Sequence, residues 1–334
     1  PAEAPRFESA EPIDPGPARA IVVGALSAAG VPTTAIQHGR YPLRGLGFPR
    51  DATFPLISFT CPVGQPCAGV LEAIARSAPA RGLIAVPAHE EDRPGRPLYR
   101  ALASPEGRPA LAIRGLPPGP RLTLVVFDVG RDPGLLDALL GLDVDLTYAL
   151  AADAPGAPQA AARLNAAGRE VLALVPMQSE GDAATSPDTL RTDDPPETAA
   201  TRALSLTARV TGAVGVAAWR GDRFTASQPH MAALLRTLGG EGLFFFDATG
   251  SLGSVATPAA RTLGVRSASS THYLDAADGD LEARLRAVEV ALVLDGQAVV
   301  VTPPDPETLV TLTAWLRGLR SRRIHVLRLS EIVL

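Results

Sequence analysis

The sequence predicts an α/β protein in which a small α+β domain precedes a longer strand–helix repeat, and three observations carry that expectation. From residue 118 onward, short apolar runs alternate with segments of helical period, the pattern of a parallel sheet covered by helices. The first run, LTLVVFDVG from Leu122 to Gly130, stays apolar until an aspartate and a glycine, as a strand buried on both faces does. A proline-rich hinge, PPGP at Pro117 to Pro120, separates this repeat from everything before it. The alternation fits a barrel-like or a doubly wound sheet. In either, the carboxyl ends of the strands converge on one open face where chemistry is built, and Asp128 ends the first strand there.

At 334 residues the chain is long enough for two domains with a sizeable core. Its formal net charge of -4 and the lack of any basic run argue against nucleic acid or an anionic membrane surface as the main partner. All positive side chains are arginine, there is no lysine, and Asn165 is the one asparagine, a composition expected of a GC-rich bacterial genome. No window approaches the roughly 18 consecutive apolar residues of a membrane helix. The numbering begins at Pro1 without methionine, so an export signal or anchor removed ahead of it is expected, and membrane attachment would come through that segment alone.

Taken in order, residues 1–17 are rich in Pro and Glu and read as a flexible tether. Residues 18–116 form the small α+β domain. A helix is expected over 18–30, strands over 33–37 and 55–60, a helix over 69–77, and strands over 83–87 and 110–114. The larger domain spans 118–334. Its strands are expected at 122–128, 144–150, 170–175, 213–218, 242–247, 266–274, 298–302 and 323–328. Its helices fall at 132–141, 156–167, 196–211, 228–239, 254–264, 279–295 and 305–319. The exception is the polar stretch 178–196, and a loop of that length is expected to be functional or mobile.

Cys61 and Cys67, in CPVGQPC, are the only cysteines. Turn formers between them allow the sulfurs to meet, which favours a disulfide and an oxidising compartment; two half-buried thiols are the alternative. A metal pair is disfavoured because no further Cys or His lies near in sequence to complete it. His38 and His89 stand alone as surface or capping residues, and His230 and His325 read as structural. GSLGS at 250–254 lacks the Lys-Ser/Thr ending of a phosphate loop. Neither a Gly-x-Ser-x-Gly elbow, a Cys-His pairing nor a dinucleotide fingerprint occurs.

Six segments in order carry a resemblance: LTLVVFDVG (122–130), GREVLALVPM (168–177), GVAAWRGDRFT (215–225), EGLFFFDATGSLGSVA (241–256), HYLDA (272–276) and AVVVTPPDPETL (298–309). Together they resemble the divergent polysaccharide deacetylase family, which implies a deformed (β/α) barrel over about 118–334. In such enzymes a divalent metal held by an aspartate and histidines polarises the acetyl carbonyl and its water, while a second aspartate takes the proton.

Residue by residue, the resemblance implies that most of that equipment has gone. Where the family has two successive aspartates, base then ligand, this chain has Phe127 and Asp128. Leu174 stands where a histidine precedes Pro-Met, and Trp219 where another histidine is usual. Thr249 replaces an arginine after Asp247, and Thr302, Pro303 and Pro304 replace Gly-His-Pro. Residues of the scaffold, such as Pro176, Gly221 and Phe224, match.

The leading expectation is therefore a catalytically inactive member that binds a glycan or a cell-envelope protein in cell-wall remodelling, in the periplasm or outside the cell, with no cofactor. Trp219, Arg223 and Thr249 are the candidate ligand-binding residues, with Trp219 able to stack on a sugar ring or, alternatively, to fill the emptied site together with Phe127. The second expectation keeps an enzyme. Asp128, Asp247 and Asp275 are its candidate catalytic residues, and Asp128 with His272 would be ligands of a rearranged zinc site. Against it, Asp128 and Asp247 read as strand-end carboxylates that accept backbone N–H groups. A third possibility is a pure interaction protein working through its N-terminal domain and the 178–196 loop.

Overall fold

The computed structural model describes residues 7, 11–42, 53–64, 66–87, 96–142, 144–181, 186–218, 220–275, 277, 279–319 and 321–334. The chain divides into two compact units, Pro1–Pro118 with Leu334, and Gly119–Val333. His89 and residues 1–6 and 8–10 of the expected tether lie outside the described residues.

The first unit holds helix α1 (Gly16–Ala28), strands β1 (Gln37–Pro42) and β2 (Thr53–Thr60), helix α2 (Cys67–Ser77), and strands β3 (Ile84–Pro87), β4 (Leu98–Ala103) and β5 (Pro109–Leu116). The sheet order is β1-β2-β5-β4-β3, with β2 and β5 parallel and the other pairs antiparallel. Apolar faces of α1 (Ile21, Val22, Leu26) and α2 (Val70, Leu71, Ile74) pack on Ile57, Phe59 and Ile113 of the sheet. Three expectations change. Residues 33–35 form a 3-10 turn and the strand begins only at Gln37. β4, an LYRALA segment whose leucines and alanines favour helix as readily as strand, pairs β3 and β5. The end of the tether is held, since the Ile13 N–H donates to the Pro109 carbonyl at 2.9 Å.

Cys61 and Cys67 form a disulfide with Cα atoms 5.4 Å apart, joining the end of β2 to the start of α2. Gly115 on β5 makes room for it: a Cβ there would stand 2.5 Å from the Cys67 sulfur and 3.0 Å from that of Cys61.

In the second unit β6 (Arg121–Val129), β7 (Thr147–Ala151), β8 (Glu170–Leu174), β9 (Gly215–Ala218), β10 (Phe244–Asp247), β11 (Ser267–Ser269), β12 (His272–Tyr273), β13 (Gln297–Thr302) and β14 (His325–Val326) form one parallel sheet. Its helices are α3 (Pro133–Leu140), α4 (Ala157–Ala166), α5 (Pro196–Thr207), the single turn α6 (Asp222–Thr225), α7 (Gln228–Gly240), α8 (Ala256–Leu263), α9 (Leu281–Leu294) and α10 (Pro306–Leu319). None of the described helices is long and apolar enough to cross a membrane.

The strand order, β11-β10-β9-β8-β7-β6-β13-β12, places β11 and β12 at opposite edges, yet only Ser270 and Thr271 separate them in sequence. Two residues span less than about 10 Å, so the edges meet and the sheet closes. The Ser270 N–H still donates to Asp247 on β10 (3.0 Å), whereas those of Thr271 and Leu274 donate to Val299 and Val301 on β13 (2.7 and 2.8 Å). The single strand expected over 266–274 thus changes partner halfway. The result is a deformed (β/α) barrel whose last stave bridges the seam.

Alternation along the strands sorts side chains into two layers. Leu124, Tyr148, Leu150, Val216 and Phe245 face the helices. Val125, Phe127, Leu172, Leu174, Phe244, Phe246 and Val301 fill the barrel interior. At the amino ends of the strands the C-terminal segment closes that interior with Leu329 and Val333. It is fixed there by N–H bonds from Leu329 to Thr147 (3.0 Å) and from Ser330 to Glu170 (3.1 Å), and by an Arg328–Asp145 pair at 3.0 Å.

Candidate functional site

Asp128 stands on a distorted strand end. Between the pairs Val126–Tyr148 and Val129–Leu150, β6 advances three residues while β7 advances two, a bulge that re-aims side chains. The extra residue takes positive φ: Asp128 has φ 57°, a conformation that short polar side chains tolerate best after glycine. The bulge leaves Phe127 pointing into the barrel, fully buried against Phe246 at 6.0 Å between ring centroids, and turns Asp128 to the rim, where its side chain is a third exposed. There Arg131 bridges two carboxylates, Asp128 at 2.7 Å and Asp153 at 2.8 Å. Partial burial opposes the Arg131 charge, but these two partners outweigh it and hold its pKa above the ordinary value.

The other acidic candidates are occupied by their own turns. Asp247, only 7% exposed at the end of β10, accepts the N–H and hydroxyl of Thr249 (3.0 and 2.7 Å) and the hydroxyl of Ser254 (2.6 Å). Thr249 is thereby a turn residue and its hydroxyl also accepts from the Ser251 N–H at 3.3 Å. Asp275 accepts the Tyr273 hydroxyl at 3.0 Å and the Ala277 N–H at 2.9 Å. Such Asx-type turns are the ordinary way of ending a strand ahead of a helix.

The structure does not bring His272 to Asp128. Register places His272 beside Val300, and Val300 beside Leu124, so His272 lies two strands away and four residues short of Asp128, roughly 13 Å along the strand direction. Its Nδ1 shares a 2.8 Å hydrogen bond with Thr271. Burial lowers the His272 pKa, opposed by Asp295, which lies just before the amino end of β13. The expected Asp128–His272 ligand pair is therefore corrected: sequence order put both near strand ends, but β12 pairs β13 at a lower level.

Trp219 lies outside the described residues. Arg223 sits half-exposed on α6, 3.3 Å from the Thr192 hydroxyl and 3.9 Å from Asp193. It faces the long loop, and that loop is more ordered than its composition suggests. Leu190 bonds back to Pro176, Gln178 to Leu190, and Thr192 to the buried Gln178 side chain, each at 2.9 Å. Ion pairs Arg202–Asp194 (2.7 Å) and Arg209–Asp188 (2.9 Å) tie it to α5 and the residues after it, and His230 of α7 bonds the Asp194 carbonyl at 2.8 Å. Residues 182–185 of the loop lie outside the described residues.

A cavity of about 290 Å³ opens beside Asp128, between the loop that follows β6 and the loop that follows β13. Leucines of α3 and Pro303 and Pro304 wall it; Asp128, Arg131, Asp132 and Asp305 supply its polar groups.

Comparison with known proteins completes the identification. The sequence profile of the divergent polysaccharide deacetylases matches residues 124–333. The chain belongs to that family. It is 28% identical over 204 residues to an uncharacterised protein of Haemophilus influenzae, covering 60% of this chain and 72% of that one. It is 25% identical over 195 residues to the uncharacterised protein YibQ of Escherichia coli, covering 58% of this chain and 61% of YibQ, less than two thirds of that relative's length. Among solved structures, an uncharacterised protein of Agrobacterium tumefaciens superposes with a TM-score of 0.60 at 24% identity, over 64% of this chain and 88% of that one, a likeness of fold.

The family's positions for a base and imidazoles hold Phe127 and Leu174, both buried in the apolar interior, and Thr302, Pro303 and Pro304. Among the described residues no group of three or more His, Cys, Asp or Glu is placed to hold a metal ion. Arg131, Asp153 and Asp305, which shape the rim, were not singled out from sequence. A strand-end aspartate followed by arginine, and an aspartate opening Asp-Pro-Glu before a helix, were the available signals.

Proposed function

We propose that the chain is a non-catalytic member of the divergent polysaccharide deacetylases, a glycan- or protein-binding component of the bacterial cell envelope that acts in cell-wall remodelling. The observation that carries the reading is the packed barrel interior, in which Phe127 and Leu174 occupy positions where the reaction needs a carboxylate and an imidazole. The Cys61–Cys67 disulfide supports an oxidising compartment, the periplasm or the exterior. Incubation with acetylated chitooligosaccharides and peptidoglycan in the presence of zinc, manganese or nickel tests it. Acetate release is expected to stay at the level of an Asp128→Asn variant, and release well above that level contradicts the proposal.

A second reading has one observation in its favour. Asp128 remains exposed at the strand end within one ion network with Asp153, so two carboxylates converge where a hard cation could be held. Under that reading the protein is a metal-dependent deacetylase with a rearranged site, and the same acetate assay separates the two.

A further inference from the structure

Helix α9 is apolar on two opposite faces. Leu281, Leu285, Val288 and Leu292, spaced four, three and four residues apart, lie in the core of the second unit. Ala283, Ala287, Val290 and Leu294 repeat that spacing about 200° around the helix, and all four are exposed. A surface helix ordinarily turns charged and polar residues to water along that line. Of the seven large apolar side chains exposed among the described residues, three fall within the last five residues of this helix: Val290, Val293 and Leu294, at 55%, 79% and 76%. Exposed apolar residues grouped in this way mark a surface that another chain covers, and a spacing of four and three is the seam along which helices pair.

We propose that the outer seam of α9 pairs with the same seam of a second copy of this chain, the two helices running antiparallel. The gradient of side-chain size selects both the occupant and the direction. The seam runs from Ala283 and Ala287 to Val290 and Leu294, so a two-fold antiparallel pair sets Ala283 against Leu294 and Ala287 against Val290, and every layer has nearly the same volume. A parallel pair would stack Ala on Ala at one end and Leu on Leu at the other, a gap and a crowded layer in one interface. The antiparallel direction also brings Arg286 of each helix near the carboxyl end of the other, where Asp295 and the negative pole of the helix stand. Arg286 already holds Asp280 and Glu282 at 3.6 Å each, so the acids at that rim share its charge. A seam about 17 Å long buries well under the roughly 1,200 Å² of a stable complex, which makes the dimer weak and concentration-dependent. This pairing goes beyond the binding reading above and does not depend on it.

Sedimentation equilibrium of the full chain, carried to about 0.5 mM, is expected to show a reversible monomer–dimer equilibrium with Kd on the order of 0.1 mM, the weak class for so small an interface. Val290→Glu sets a carboxylate against Ala287 of the second copy and should weaken association at least about tenfold, with the circular dichroism spectrum unchanged because the side chain meets water in the monomer. Direction is read by cross-linking. Cys61 and Cys67 are the only cysteines and are joined to each other, so Ala283→Cys and Leu294→Cys each add a single free thiol. Like positions stand about 17 Å apart along an antiparallel pair, beyond the reach of a disulfide. Mild oxidation should therefore link the two variants when they are mixed and leave each alone unlinked. A chain that sediments as a monomer throughout, association unaffected by Val290→Glu, or Leu294→Cys linking to itself as readily as to Ala283→Cys overturns the proposal.

Discussion

Replacing Phe127 by alanine probes the packed interior most sharply. The ring is fully buried and packs in a tilted contact on Phe246. Around it are Val125, Leu174 and Val301, side chains held by strands that hydrogen-bond on both sides, so the walls have little freedom to collapse. Truncating a buried Phe in such surroundings costs about 3–5 kcal/mol, the transfer of the ring plus the cavity left behind, including about 0.5–1.5 kcal/mol from the aromatic contact. The unit spans Gly119–Val333, a size at which each kcal/mol lowers Tm by about 2–4 °C, so a fall of roughly 6–20 °C is expected. Urea unfolding followed by circular dichroism, with scanning calorimetry alongside, measures both. A loss under about 1 kcal/mol would mean that Phe127 borders an open, hydrated site, and the case for a filled barrel would collapse with it.

Asp247→Ala strands the Thr249 and Ser254 donors and should cost about 2–4 kcal/mol in urea unfolding, whereas Asp247→Asn, which keeps an acceptor, should cost clearly less; equal effects would argue against a turn role. Gly115→Ala forces a Cβ against the Cys67 sulfur, so it should destabilise the first unit and raise free thiol in a labelling assay, and unchanged thiol content would refute the packing. The folded pKa of His272 lies below its ordinary 6.5. As pH drops below that value the unfolded chain takes up a proton the folded chain resists, so stability present at neutral pH declines toward acid. His272→Gln should flatten that decline, and an unaltered or steeper profile would contradict the burial of the imidazole.

How much could be read in the chain follows from where the information lies. The barrel strands announce themselves because LTLVVFD and AVVV are buried on both faces and leave no period to misread. The sheet of the first unit is less legible: LYRALA suits a helix as well as β4, and pairing with β3 and β5 decides. The seam at Ser270–Thr271 is a tertiary event, since nothing in SASSTHY marks where a strand abandons one neighbour for another. At the site, the substitutions at Phe127 and Leu174 are plain in the sequence and the structure buries both. The failure of His272 to reach Asp128 is a matter of register, which sequence order does not specify across non-adjacent strands. Arg131 joins Asp128 to Asp153, 22 residues further along the chain than itself, and the pairing of β6 with β7 brings those carboxylates together.

Calorimetric titration of zinc, manganese and nickel into the purified wild type and an Asp128→Ala variant tests the proposed non-catalytic reading most directly. No stoichiometric binding to either protein, with fold stability changed by no more than about 1 kcal/mol on losing a half-exposed ion pair, is the expected result. Stoichiometric binding by the wild type that disappears in Asp128→Ala would contradict it and make the protein a metal-dependent member of its family.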